Sequence, residues 1–440
     1  MHEQESPENL PAAPAPKPAA ESSYAVFKNT DFVRYLIGRF VASLGQQMLV
    51  VAIDWELYER TGSALPLAFV GLTQMIPMIL CTLPAGHLAD TYDRKKIIMI
   101  TTLVLSLASV GLTIASALVA PLAWIYFFLV VIGAARTFLW PASAAFITSL
   151  VPRNQLARAI TFNSTTFQIS SVVGPAACGM VIVMTPLTQQ HQTAWAVYGL
   201  NVVASLACAA LVFFIKHEHK IKTPEPVSVK SLVEGFRFVF DNKIILGVIT
   251  LDLFAVLLGG AVTLLPIFAK EIFHTGPSGL GWLRDAMPIG AVLCALVMMY
   301  RPNMQKAGRA MLVSVAIFGV ATIAFGISKW FWFSFAMLAL AGAVDQISVV
   351  VRQTLVQILT PDEKRGRVSA VNSLFIGTSN ELGGFRSGFV AFMFTTPTFL
   401  GNAAATGAIV STVTGGIGTI LVVMVVAWIW PDIRKYGKLA

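Results

Sequence analysis

Charge is what this sequence has least of. Asp, Glu, Lys and Arg together make up only 12% of the 440 residues, about half the share of a soluble globular protein. That shortage excludes a water-facing surface over most of the chain. The four cysteines, Cys81, Cys178, Cys208 and Cys294, are scattered through apolar stretches with no CxxC pair. They read as small core or lipid-facing residues, not as a disulfide framework or thiolate metal site. No G-x-x-x-x-G-K-[ST] stretch supports direct nucleotide coupling, and no HExxH or Cys/His cluster supports a metal enzyme. No cofactor, no metal and no enzymatic activity are therefore expected. Polar runs long enough to fold into a soluble catalytic domain are missing as well.

What fills the chain instead is apolar length: 56% of residues are hydrophobic and the mean hydropathy is +0.73. A membrane-spanning helix needs about 20 mostly apolar residues, and such segments recur from Phe32 almost to Trp430. They predict an all-α membrane protein of twelve transmembrane helices, at roughly 32–60, 65–89, 97–119, 122–150, 158–184, 193–215, 243–270, 278–300, 309–328, 330–359, 366–394 and 402–430. The net charge of +9 then has an explanation that needs no nucleic acid. With both tails cytoplasmic, about 23 of the 31 basic residues fall on the cytoplasmic side, and only Arg60, Lys270 and Lys329 on the other.

The longest polar stretch after the amino-terminal tail, Lys216 to Lys243, divides the apolar segments six and six. The expected organisation is a disordered cytoplasmic tail (1–28), a six-helix bundle (29–216), a cytoplasmic linker (217–242), a second six-helix bundle (243–430) and a short cytoplasmic tail (431–440). The tail is rich in Pro, Ala and Glu, a composition that builds no core. It lacks the basic-then-apolar order of a signal peptide, so the first helix is expected to direct insertion. Within the linker, Ser231–Phe240 reads as a short amphipathic helix on the membrane surface.

The bundles are internal repeats. Laying Leu150-Val151-Pro152 over Leu359-Thr360-Pro361 brings Arg158 onto Arg367, Asn163-Ser164 onto Asn372-Ser373, Ser170 onto Ser379, Gly174 onto Gly383 and Gly179 onto Gly388. Thr61-Gly62 precedes the second helix as Thr275-Gly276 precedes the eighth, and Pro77 and Pro288 follow at similar depth. An even number of helices per repeat makes the repeats parallel. Paired bundles of this kind hold a substrate site near mid-membrane and work by rocking.

The loop after the second helix reads Gly86-His87-Leu88-Ala89-Asp90-Thr91-Tyr92-Asp93-Arg94-Lys95-Lys96. It resembles the signature loop of the major facilitator superfamily, G-x-L-A-D-x-x-G-R-K/R-x, departing from it at Asp93. Helix 4 carries Gly133-Ala134-Ala135-Arg136, similar to the family's buried helix-4 arginine motif. Helix 5 carries Gly174-Pro175-Ala176-Ala177-Cys178-Gly179, similar to the G-P-x-x-G-G element of the superfamily's antiporters, with Cys178 in place of one glycine. The stretch from Val344-Asp345-Gln346 to Gly388, with Trp55-Glu56-Leu57-Tyr58 and Thr61-Gly62-Ser63, resembles the enterobactin-exporter-like branch, itself similar to the macrolide-efflux and drug/proton antiporter group. The resemblance implies a transporter of the bacterial cytoplasmic membrane that expels siderophores or other amphipathic molecules against inward proton flow. It implies a gating loop containing Gly86, Asp90, Arg94 and Lys95, and an antiporter element containing Gly174, Pro175 and Gly179. Small-molecule substrate, proton and lipid bilayer are the expected partners of a monomer. An importer or uniporter on the same scaffold, and a transport-inactive sensor, are the competing readings.

Charges inside hydrocarbon cost at least ~2.5–3.5 kcal/mol each, so each one needs a reason. The repeat places Arg136 opposite Asp345 and Arg39 opposite Asp252, which predicts two coupled pairs. Asp345, Asp252, Asp54 and Glu381 are the candidate proton carriers, unranked; Asp285, beside Arg284 in the eighth helix, is a further acid inside an apolar helix. Arg136, Arg39, Gln46, Gln168, Gln346, Phe138 and Phe167 are candidates to line the central cavity. Glu56, with Trp55 and Tyr58, is expected at the outer interface. Arg386 lies about 140° round the helix from Glu381 and is expected to take a different partner.

Overall fold

A computed structural model describes residues 25–185, 194–216, 229–300, 306–361, 364–395 and 403–437, and their secondary structure is helical, with no strand among the described residues. The first six long helices are α1 (Thr30–Thr61), α2 (Leu65–Thr91), α3 (Arg94–Ala117), α4 (Leu122–Leu150), α5 (Leu156–Met184) and α6 (Ala194–Phe213). The linker helix α7 (Val229–Asp241) leads into α8 (Lys243–Ile272), α9 (Gly276–Tyr300), α10 (Ala307–Ile327), α11 (Phe331–Leu359), α12 (Arg365–Met393), α13 (Ala403–Ile429) and the short α14 (Pro431–Lys435). Eleven of the described helices are long and apolar enough to cross a membrane. The 29-residue α12 has the length but also Arg365, Arg367, Asn372, Asn380, Glu381 and Arg386, and it packs among the others against α2, α8 and α13.

Local chemistry sets where helices start and stop. Asn29 caps α1 by accepting from the Asp31 and Phe32 amides, while its Nδ2 donates to the Leu150 carbonyl at 2.6 Å and ties α1 to the end of α4. At the opposite end α1 stops on Gly62, whose left-handed φ of +60° lets its amide close onto the Tyr58 carbonyl. The repeat-matched Gly276 has φ +63°. In the signature loop, Asp93 accepts from the Lys95 amide and caps α3. The acid that departs from the family pattern thus starts the helix three residues earlier than hydropathy alone suggests.

In the first half, α1 packs on α5 and α6, α3 on α4 and α6, and α2 on α4. In the second, α9 packs on α11, α10 on α11 and α13, and α8 on α12 and α13. The halves meet mainly where α5 meets α9 and α2 meets α12. The repeat-matched glycines do matching work at these contacts. A methyl on Gly174 would press on Gln47 of α1, and one on Gly383 would press on the Val256 carbonyl of α8 at 2.7 Å. One on Gly179 would meet the Pro277 carbonyl of α9 at 2.6 Å, and one on Gly388 would meet Ala68 of α2 at 2.7 Å. Within each repeat, then, one glycine seats the helix on its own half and the other on the opposite half.

Hydropathy predicts one unbroken helix over 243–270. The structure breaks it: regular α-helix ends at Gly259, and a 3-10 turn, a short helical piece and a π-turn carry the chain to Ile272. Broken backbone at membrane depth survives only where its freed polar groups find partners. Arg386 of α12 supplies one, donating to the Leu258 carbonyl at 2.7 Å, and it also reaches the Ser411 carbonyl of α13 at 3.3 Å. Its second nitrogen reaches Thr414 at 3.2 Å.

The linker helix docks on the second half, with Val239 buried, Phe236 against Phe375 at 5.8 Å, and Glu234 paired with Arg367. Of the other sequence-derived segments, 1–24, 217–228 and 438–440 lie outside the described residues.

Candidate functional site

The two halves meet most closely at the end of the molecule remote from the tails. There the carbonyl of Pro175, which as proline also leaves the α5 ladder one donor short, faces Gly281 of α9. A methyl at Gly281 would sit 2.6 Å from that oxygen. Asp54 of α1 accepts from Arg284 of α9 at 2.7 Å, crossing between the halves. Nearer the surface, Glu59 pairs with Lys270 at 2.9 Å, and the Tyr58 hydroxyl donates to Glu271 at 3.0 Å. Backbone contact between small residues and ion pairs thus close this far end together.

Glu56 is not at an interface. It is 3% exposed and bonded to Tyr198 at 2.7 Å and Arg60 at 3.1 Å, inside the first half. The reason is Arg60, one helical turn on, which supplies the counter-charge needed to bury a carboxylate.

At mid-depth, Arg136 donates to Gln74 of α2 at 3.3 Å. The two flank a small cavity walled by Leu49, Val50, Ile53, Val70, Leu129 and Ile132. The carboxylate whose charge acts on Arg136 is Glu381, on the α12 turn that packs over Gly71 of α2. Asp345, expected opposite Arg136, is half-buried with no hydrogen bond or ion pair among the described residues. It lies seven residues before Arg352, on the same face of α11 two turns away.

The second expected pair is also corrected. Asp252 pairs with Arg352, not with Arg39. Arg352 reaches it from within the same half, whereas Arg39 belongs to the first half, where its charge acts on Tyr35 and Cys208. Arg39 is half-buried, with no hydrogen bond or ion pair among the described residues. Repeat symmetry located the charges but not their partners, because pairing depends on helix rotation and on which half each charge belongs to.

The remaining candidates divide. Gln46 keeps both amide atoms buried and unpartnered among the described residues, while Gln168 and Gln346 are half-buried. Phe138 packs onto the core of the first half, and Phe167 is exposed, edge-on to Trp140 at 6.5 Å. In the gating loop, nothing lies within 4 Å of the position a methyl on Gly86 would take. The side chain of Asp90 lies outside the described residues. Arg94 donates to the Ala145 carbonyl at 3.3 Å, and Lys95 to the Phe213 and Ile215 carbonyls at 2.8 and 2.7 Å. Lys95 thus satisfies carbonyls at the end of α6, and both cations are held within the first half. Arg284, Gln74 and Arg352 are contributors that the candidate set lacked; the signal for the two arginines was their charge inside apolar helices.

Residues 35–384 match the family model of the Major Facilitator Superfamily. The Enterobactin exporter EntS of Citrobacter koseri is 24% identical over 410 residues, covering 92% of this chain and 93% of that protein. That of Shigella flexneri is 24% identical over 413 residues, with the same coverage. Among solved structures, a bacterial homologue of the human lysosomal transporter Spinster, in an inward-facing and unoccupied conformation, superposes with TM-score 0.71 at 14% identity, covering 94% of this chain and 98% of that one. A D-xylose–proton symporter superposes with TM-score 0.68 at 12% identity, covering 94% and 100%. The chain belongs to the Major Facilitator Superfamily, as an enterobactin-exporter-like, multi-pass transporter of small molecules in the bacterial inner membrane, and not an enzyme.

Proposed function

We propose that this protein is a proton-coupled exporter of small amphipathic molecules, siderophore-like or drug-like. It acts as a monomer by alternating access, with twelve spans and both tails in the cytoplasm. Residues 29–216 and 243–430 are the two bodies that rock. The observation that carries this reading is the asymmetry between the two ends. The far end is sealed by the α5–α9 contact and by Asp54–Arg284. The tail-side arms of α5 and α12, by contrast, expose Thr161, Ser164, Thr165, Ser369 and Ser373, hydroxyls suited to a water-filled vestibule rather than to lipid. Export is supported by the helix-5 element, whose small residues form that seal, and by the enterobactin exporters among the relatives.

Four acids lie within the long apolar helices or on α12. Asp252 and Asp54 each have an arginine partner, Glu381 acts on Arg136 through space, and Asp345 stands alone among the described residues. An acid held by an arginine is a poor proton carrier until the partner moves, which is how an exchange cycle links protonation to rocking. Arg136→Gln and Glu381→Gln are expected to be non-additive in transport, with a coupling energy of about 0.5–3 kcal/mol. Initial rates of both single variants and the double variant measure it; strict additivity would separate the two residues.

The function itself is tested in proteoliposomes under an imposed pH gradient, with fluxes of candidate siderophores and drug-like dyes. The reading requires outward-directed flux that rises with the gradient. Flux that ignores the gradient sinks proton coupling, and gradient-driven uptake toward the tail side makes the protein an importer.

A further inference from the structure

Asp54 differs from the other membrane-depth acids in what its partner does. The Asp252–Arg352 pair lies wholly within the second half, so the halves can part without breaking it. Glu381 reaches Arg136 only through space, since the Arg136 hydrogen bond goes to the neutral Gln74. Glu59–Lys270 crosses between the halves, but the Lys270 side chain is 38% exposed, where water screens a pair to little worth. Asp54–Arg284 both crosses between the halves and is buried, with side-chain exposures of 6% and 18%. The far end cannot open while this contact is made.

The surroundings of Asp54 contain few other charges. On α9, Arg284 is in contact and Asp285 turns toward the Ala176 amide of α5. Cys178 of α5 and Glu381 of α12 lie within electrostatic reach. On α1 itself, Glu56 is occupied by Arg60 and Tyr198, Glu59 by Lys270, and Tyr58 by Glu271. Asp54 sits seven residues before the end of α1, about 10 Å from the far surface, within reach of a proton entering from that side.

We infer that Asp54 and Arg284 are the coupling pair of this transporter, in which a proton and the Arg284 guanidinium compete for one carboxylate. This rests on the proton-coupled reading and assigns its carrier. A proton from the far-side solvent adds to the Asp54 carboxylate, and Arg284 keeps its charge and swings free. With the contact gone, the far-end seam is unlocked. In the return direction, re-formation of the pair expels the proton toward the tail side. The empty, unprotonated protein is locked by the pair, which prevents a futile leak, and by linkage whatever weakens the pair must ease proton binding equally.

Hydrogen exchange of the full chain in lipid nanodiscs tests this without any cargo, using the proton itself as ligand. After correction for the intrinsic pH dependence of exchange, acidification should raise opening of segments 50–62 and 276–288 at least about threefold in the wild type. Asp54→Asn and Arg284→Gln should show the raised level at every pH, and Arg284→Lys should restore part of the pH response. Exchange over 229–241, where α7 docks on α12, should not change, which separates unlocking from misfolding. Two results overturn the inference: a wild-type seam indifferent to pH, or an Asp54→Asn protein that keeps the wild-type response. Flux that follows the pH gradient while Asp54→Asn keeps the seam response would leave the exporter reading standing and remove only this pair.

Discussion

Gly281→Val is expected to remove most transport while leaving the protein folded and in the membrane. Gly281 lies where α9 crosses the proline turn of α5, and even a methyl there would stand 2.6 Å from the Pro175 carbonyl and 3.1 Å from the Ala176 Cα. Both are backbone atoms, which cannot rotate away. Overpacking of this kind costs about 1–3 kcal/mol. Because the contact joins two bodies that separate during the cycle, that cost falls on the far-end-closed state alone. A shift of that size changes the closed-to-open ratio by about 5- to 150-fold. Gly281→Ala should be intermediate. Gly199→Val on α6, where nothing lies within 4 Å of a methyl, should transport like the wild type. Reconstituted flux and melting temperature, measured together on the three variants, check the ordering. A Gly281→Val protein with wild-type flux would show that the α5–α9 contact is not part of the moving seam.

The second large effect is on stability. Arg352 is 3% exposed and pairs with Asp252, itself 8% exposed, inside the second half. Arg352→Ala leaves a buried carboxylate without its counter-charge, a change that costs about 3–5 kcal/mol in proteins. The expected result is a sharp fall in melting temperature and in the amount of protein recovered from membranes. Adding Asp252→Asn should return much of the loss, because the uncompensated charge is then gone. Arg367→Ala removes an exposed partner of Glu234, with side-chain exposures of 43% and 46%, and should change stability by at most about 1 kcal/mol. If the double variant is no more stable than Arg352→Ala, the loss comes from missing packing and not from the orphaned charge.

These predictions rest on features that differ in how far the sequence reveals them. Lipid exposure, helix positions and the repeat are legible because they depend on composition and spacing. The matched glycines Gly174/Gly383 and Gly179/Gly388 proved to occupy matched contacts, and Gly62 and Gly276 matched left-handed turns. Those roles follow from backbone geometry, which a repeat copies. Charge pairing does not copy in this way. Arg39 and Asp252, or Arg136 and Asp345, hold related positions, yet a rotation of one helix by a single residue gives a side chain a different neighbour. The break in α8 was hidden for a related reason. Gly259-Gly260 does not interrupt an apolar run, and the group that makes the break tolerable, Arg386, stands 128 residues away from the Leu258 carbonyl it satisfies. Asp93 looked like a departure from a motif and turned out to be a helix cap, a role readable from its position just before the basic start of α3.

Alternating access requires the far end to open as the tail side closes. Spin labels at Leu118 and Lys329 report across the far end, and labels at Tyr92 and Lys364 across the tail side, all four positions being exposed and each pair bridging the two halves. Distances measured in nanodiscs between neutral and acidic pH should show a longer far-end population growing in as a shorter tail-side population appears. Distances that stay single and unchanged at both ends, or that lengthen at both ends together, would contradict alternating access driven by protonation.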